Sequence, residues 1–149
     1  MKSILFFREM GAFLMKIFHY FSRRAFIFYY ISKMKKVFYL KTCDTCLKIL
    51  KKFNLKDWEL REIKINPITE EEVEQMHKLA GSYEAFFSKK SNQIKLRELD
   101  PKKLTEEDYK ELILDHYTFL KRPVFMTDTE IFIGNDKKNL EALRSYFAD

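Results

Sequence analysis

Two cysteines, Cys43 and Cys46, stand two residues apart in "FYLKTCDTCLKIL", and the chain has no others. Such a pair can bind a metal, run redox chemistry or simply pack. Its setting favours redox. The pair follows a strand-like run and opens a helix-like one, which places the first cysteine where unpaired backbone N–H groups and the helix dipole favour an anion. A thiol so placed ionises more readily, and the thiolate is the nucleophilic form. The second cysteine lies one turn along the same face and can close a bridge onto the first. Cys43 is therefore assigned as nucleophile and Cys46 as resolving thiol. Asp44, between them, opposes ionisation of Cys43, and Lys41 offsets it.

Other chemistry fits less well. A structural zinc site takes four Cys or His ligands. Here His77 and His116 are far along the chain and lack paired spacing. Both histidines read as structural residues rather than ligands or bases. Cys46 falls on an apolar helical stripe and fits a core position, but Cys43 does not. No Ser/His/Asp signature and no Gly-rich phosphate loop is present.

The elements around the pair follow from periodicity and caps. Residues 35–40 read as a buried strand, residues 43–54 as a helix ending at Asn54, and residues 58–65 as a second strand. Short connections favour a parallel pair with a right-handed crossover. Thr69 with Glu72 is a capping-box spacing, and Gly81 ends that helix. A short helix is expected from Ser82, a loop over "KKSNQIKLRELDPKK", and a helix capped by Thr105 and Asp108 whose apolar face runs to Phe119. Residues 123–127 and 130–133 form a hairpin, and Asn135 or Asp136 caps a last helix.

Charge is uneven. The net charge is +6, but residues 1–33 hold six Lys/Arg and one acid, leaving a net of +1 for 34–149. Direct nucleic-acid binding is therefore not expected of the latter part. Residues 1–33 are rich in Phe and Tyr, with Lys2, Glu9, Lys16 and Arg23 recurring every seven residues. They suit neither an uninterrupted membrane span nor a clean signal peptide. Two readings stand: an interfacial helix on an anionic membrane, or an extension outside the mature protein, whose domain begins near Met34. With no disulfide framework, a reducing compartment, the cytoplasm, is expected.

Over 34–149, the strand–CxxC–helix opening, the helical stretch after the second strand, "LKRPV" before a strand and "IGND" before the last helix together resemble the arsenate reductase (ArsC-like) family, nearest to its Spx/YffB branch. The resemblance implies an α/β, thioredoxin-like fold of order βαβ-ααα-ββα, with a helical subdomain inserted after the second strand. It gives Cys43 the place of the catalytic cysteine, Arg122 that of an oxyanion-facing arginine and Pro123 that of a cis-proline facing the cysteine loop. It also implies a monomer with no bound cofactor, drawing electrons from glutathione, glutaredoxin or thioredoxin. Where the family carries an arginine after the insertion helices, this chain has Lys90 (or Lys89). A third family arginine is replaced at Gly134-Asn135. Lysine does not reproduce the planar fork with which arginine binds a tetrahedral oxyanion, so weak arsenate reduction is expected beside intact thiol chemistry. The alternative is an Spx-like redox switch that binds RNA polymerase. The CxxC favours it, and the absence of a basic extension after Asp149 counts against it.

Overall fold

A computed structural model describes residues 34–149. The heptad stripe of Lys2, Glu9, Lys16 and Arg23, with both readings of that segment, lies outside the described residues. Strand β1 (Lys35–Tyr39) leads through helix α1 (Asp44–Leu50) to β2 (Glu59–Glu62). Then come α2 (Glu70–Ala80), a 3-10 turn (Glu84–Phe86), α3 (Asn92–Leu96), α4 (Glu106–Asp115) and a second 3-10 turn (Tyr117–Phe119). The chain returns through β3 (Val124–Thr127) and β4 (Ile131–Ile133) to α5 (Lys137–Ala148). No helix among the described residues is long and apolar enough to cross a membrane.

The sheet runs β2-β1-β3-β4, with β1 parallel to β2 and antiparallel to β3. Side chains alternate across it. Val37 sits opposite Phe125, and both face a core completed by Ile49, Leu50, Trp58, Phe132 and Leu143. Helices α1 and α5 cover that side. Phe147 of α5 stacks on Trp58 at 5.5 Å and on Phe53 at 4.7 Å, while Trp58 meets Phe125 edge-on at 5.6 Å. Burying rings of this size stabilises by about 2–3 kcal/mol each. A second aromatic group, with Phe87 between Phe119 (5.3 Å) and Tyr109 (4.7 Å), holds the inserted helices together.

The caps form as their spacing requires. Thr69–Glu72 and Thr105–Asp108 both close reciprocal capping boxes. Gly81 ends α2 at φ +84°, a left-handed conformation that favours glycine. Asp136 caps α5 by accepting the Asn139 N–H at 3.0 Å.

Five local expectations change. The helix capped by Thr105 does not run to Phe119: it ends at Asp115, His116 is extended, and Tyr117–Phe119 form a separate 3-10 turn. Helix α1 stops at Leu50 instead of Asn54, because Lys52 and Phe53 donate to Ile49 and Leu50 carbonyls three residues back, tightening the last turn. Strand β2 is shorter than 58–65. The Glu62 carboxylate accepts the Ile65 N–H at 2.8 Å and the Lys41 N–H at 3.2 Å, which turns the chain. The segment from Ser82 gives a 3-10 turn, with Ser82 Oγ accepting the Ala85 N–H. The polar stretch expected as a loop contains α3, capped by Ser91. With the insertion lying between β2 and β3, the arrangement is the thioredoxin-like α/β fold expected from the resemblance.

Candidate active site

Cys43 is the N-cap of α1. Its N–H donates to Leu40 O at 3.0 Å and its carbonyl accepts the Leu47 N–H at 3.1 Å, so the backbone on both sides is tied down. The thiol is half-buried and lines a cleft of about 1000 Å³. Cys46 is fully buried behind it, on the apolar face of α1, and both thiols are free.

The two thiols are electrostatically unlike. Burial works against ionisation of Cys43 but is outweighed by hydrogen bonds from the Cys46 N–H and thiol, by the Arg122 guanidinium and by the Thr45 N–H, leaving its pKa below the ordinary 9.0. Burial pushes Cys46 up to about 11, and its hydrogen bond to Cys43 and the charge there push the same way. The cation that acts on Cys43 is thus the sequence-distant Arg122, where the local pair Asp44 and Lys41 was expected to set the balance.

Arg122 reaches the cleft because its segment is clamped. The Lys121 N–H donates to Phe86 O at 2.8 Å, the Gly134 N–H donates to Pro123 O at 2.9 Å, and Phe87 bridges Leu120. The Arg122–Pro123 peptide bond is cis. Lys89 and Lys90 both line the cleft. Lys89 is held by Glu84 and Lys121 Nζ donates to Ala85 O. Arg122 and Lys90 make no ion pair or hydrogen bond among the described residues, so their charges are available to a ligand. Gly134 and Asn135 complete the wall where a further cation could have stood. The structure therefore gathers Cys43, Lys90 and Arg122 around one space and sets Cys46 and Pro123 in the buried layer behind it.

Sequence reasoning missed Ser91 and Thr118, which also line the cleft and share a 2.8 Å hydrogen bond. Only the capping preference of serine before α3 signalled the first, and nothing local signalled the second.

Alkylation against pH checks this electrostatic arrangement. Cys43 is expected to titrate below 9.0 and Cys46 near 11. Arg122→Ala should move the Cys43 midpoint up towards 9.0, because a favourable charge is removed. An unmoved midpoint would rule out Arg122 as a partner of the thiolate.

The family model described as ArsC family matches residues 38–143. Among solved structures, the chain is similar to an ArsC family related protein from Bacteroides fragilis, with 24% identity, TM-score 0.62, and coverage of 75% of this chain and 98% of that one. It is also similar to arsenate reductase from Vibrio cholerae (13% identity, TM-score 0.60, 76% of this chain and 98% of that one). A YffB protein aligns at 20% identity and TM-score 0.58, covering 76% and 99%. No curated protein matches the chain. These structural likenesses establish the fold, and the match from β1 through most of α5 carries more: the chain belongs to the ArsC family.

Proposed function

We propose that this protein is a thiol–disulfide oxidoreductase of the arsenate reductase type, with Cys43 as nucleophile and Cys46 as resolving thiol. The observation that carries the reading is the unequal pair: an accessible thiol with a lowered pKa beside Arg122, hydrogen-bonded to a buried thiol pushed to about 11. The Cys43 thiolate attacks a substrate sulfur, forming a mixed disulfide while the substrate's other sulfur leaves with the electron pair. Cys46, once deprotonated, attacks the Cys43 sulfur. The Cys43–Cys46 bond forms and the second substrate thiolate departs. A resolving thiol with a high pKa stays protonated and does not compete for substrate, yet is strongly nucleophilic when it ionises.

Arg122 and Lys90 give the cleft a preference for anionic ligands. One guanidinium and one ammonium form a weaker cage for a tetrahedral oxyanion than a set of arginine forks. Thiol donors of the glutathione, glutaredoxin or thioredoxin class would return the pair to its reduced form in a reducing compartment.

Mild oxidation is expected to give an intramolecular bridge with the loss of two hydrogens, and arsenate turnover with glutathione and glutaredoxin to be slow. No bridge would remove the reading. Rapid arsenate turnover would correct its substrate preference. The same CxxC would serve an Spx-like regulator. Binding of the RNA polymerase α subunit in only one redox state would favour that reading over an enzyme.

A further inference from the structure

Ser91 and Thr118, on the wall of the cleft, begin a hydrogen-bonded line that leads away from it. Ser91 Oγ lies 2.8 Å from Thr118 Oγ1, which lies 2.7 Å from His116 Nδ1. Backbone groups set the direction of this line. The Thr118 N–H donates to His116 Nδ1 at 3.3 Å, so Nδ1 carries a lone pair and the ring proton sits on Nε2. The Thr118 hydroxyl must then donate to Nδ1 and accept from the Ser91 hydroxyl. At the near end the Gln93 N–H donates to Ser91 Oγ at 3.3 Å, fixing that oxygen as an acceptor. Both hydroxyl protons therefore point away from the cleft.

The line is held rigidly. Ser91 is 8% exposed. The imidazole stacks on Tyr117 at 4.7 Å and meets Phe119 edge-on at 6.3 Å. His116 Nε2 has no partner among the described residues, and the ring lines a second pocket of about 170 Å³, a route for a proton to leave. The charges around the ring are few. Asp115 adjoins it on α4, with its carboxylate held by Arg97 at 2.6 Å. Arg97 also lies over the Phe119 ring at 5.5 Å. The opposite wall of that pocket, Ile63, Pro67 and Ile68, is uncharged, with Arg61 bonded to Pro67 O at 3.1 Å.

We propose that Ser91, Thr118 and His116 form a proton relay that deprotonates the thiol attacking a Cys43 mixed disulfide. This rests on the reading of Cys43 as nucleophile. The incoming thiol gives its proton to Ser91 Oγ as Ser91 passes its own to Thr118 and Thr118 passes its own to His116 Nδ1. The thiolate's electron pair forms the new S–S bond to the bound group's sulfur. The old S–S bond breaks, and Cys43 leaves as the thiolate stabilised by Arg122. The attacking thiol is oxidised, the Cys43 sulfur is reduced, and one proton ends on His116. Thr118 and His116 are positioning residues, acting through Ser91.

The size of the effect is bounded. A thiol of ordinary pKa is about 3% thiolate at pH 7, so full deprotonation in the cleft gains at most about 30-fold. The test uses Cys46→Ser protein carrying a 2-hydroxyethyl disulfide on Cys43, with release by excess dithiothreitol followed by mass spectrometry across pH. His116→Asn keeps an acceptor for the Thr118 N–H but cannot take a proton, and Thr118→Val breaks the line while preserving shape. Each is expected to slow release roughly 5- to 10-fold at pH 7, within that bound. The double variant should be no slower than either alone, and the difference should vanish at about pH 10, where the reductant is itself largely thiolate. Wild-type rates in both variants, or a slowing equal at every pH, would overturn the relay. Failure of Cys43 to form the mixed disulfide would overturn the underlying reading instead.

Discussion

Cys43→Ser protein is expected to form no intramolecular bridge and to lose thiol-transfer activity by about 10³-fold or more, the scale seen when a nucleophile is removed. Serine keeps the shape of the N-cap but offers a hydroxyl that does not ionise near neutral pH. The amide N–H groups of Thr45 and Cys46 and the Arg122 guanidinium would then face no anion to stabilise. Cys46→Ser should behave differently. The first attack remains possible, since Cys43 and Arg122 are kept and the serine hydroxyl can still donate to the Cys43 sulfur, and the protein should accumulate as a mixed disulfide on Cys43. Intact-mass measurement after exposure to a small disulfide separates the two variants. If Cys43→Ser still captured the disulfide through Cys46, the assignment of roles would be reversed. The burial of Cys46 and its pKa near 11 argue against that outcome.

Glu72→Ala is expected to cost about 2–3 kcal/mol of folding stability, read as a lower urea midpoint. Glu72 is 5% exposed. Its carboxylate accepts from Lys36 at 3.0 Å on β1, from Arg61 at 3.1 Å on β2, and from the Thr69 N–H at 3.0 Å. One side chain thus closes a helix cap and pins α2 across the parallel strand pair. Removing it leaves Lys36 and Arg61, whose side chains are 19% and 14% exposed, with only the half-exposed Glu59 carboxylate at 3.6 and 3.8 Å as a charged partner, and Arg61 with its bond to Pro67 O. Breaking a fully buried pair costs about 3–5 kcal/mol, and residual solvent at these cations places the expected loss lower. Against a domain stability of about 5–15 kcal/mol this is a large fraction. Glu72→Gln keeps the shape and an acceptor while deleting the charge, so it should recover part of the loss. Equal stability of Ala and wild type would show that the network contributes no net stability.

Glu72 shows how far local reading reaches. Its capping box with Thr69 depends on a three-residue spacing and was legible. Its reach to Lys36 and Arg61 depends on β1 and β2 lying side by side, which no local spacing encodes. Cys43 is similar. A thiol at the start of a helix was readable from the run before it and the apolar stripe after it. Its partner Arg122 was assigned only through resemblance, since the intervening chain carries no local signal linking them. Errors fell where tertiary contacts override propensity: Phe53 leaves a tightened last turn of α1 to stack on Phe147, and a polar stretch becomes α3 once Ser91 caps it. The bond between Thr118 and Ser91 was not legible either, because the two residues are 27 positions apart along the chain.

Local sequence was enough for the four strands, the two capping boxes, the hairpin, and an outer and an inner thiol at a helix start, but not for α3. These follow from short-range periodicity and from hydrogen-bonding groups within one turn of each other. Tertiary structure decided which charges act. With β1 at the centre of the sheet beside β3, the clamped Leu120–Pro123 segment brings Arg122 to Cys43, the inserted helices bring Lys90 and Ser91 to the same cleft, and Lys89 is spent on Glu84. Electrostatic effects fall off with distance through space, whatever the separation along the chain, so the fate of the Cys43 proton was set only when the sheet and its insertion closed around it.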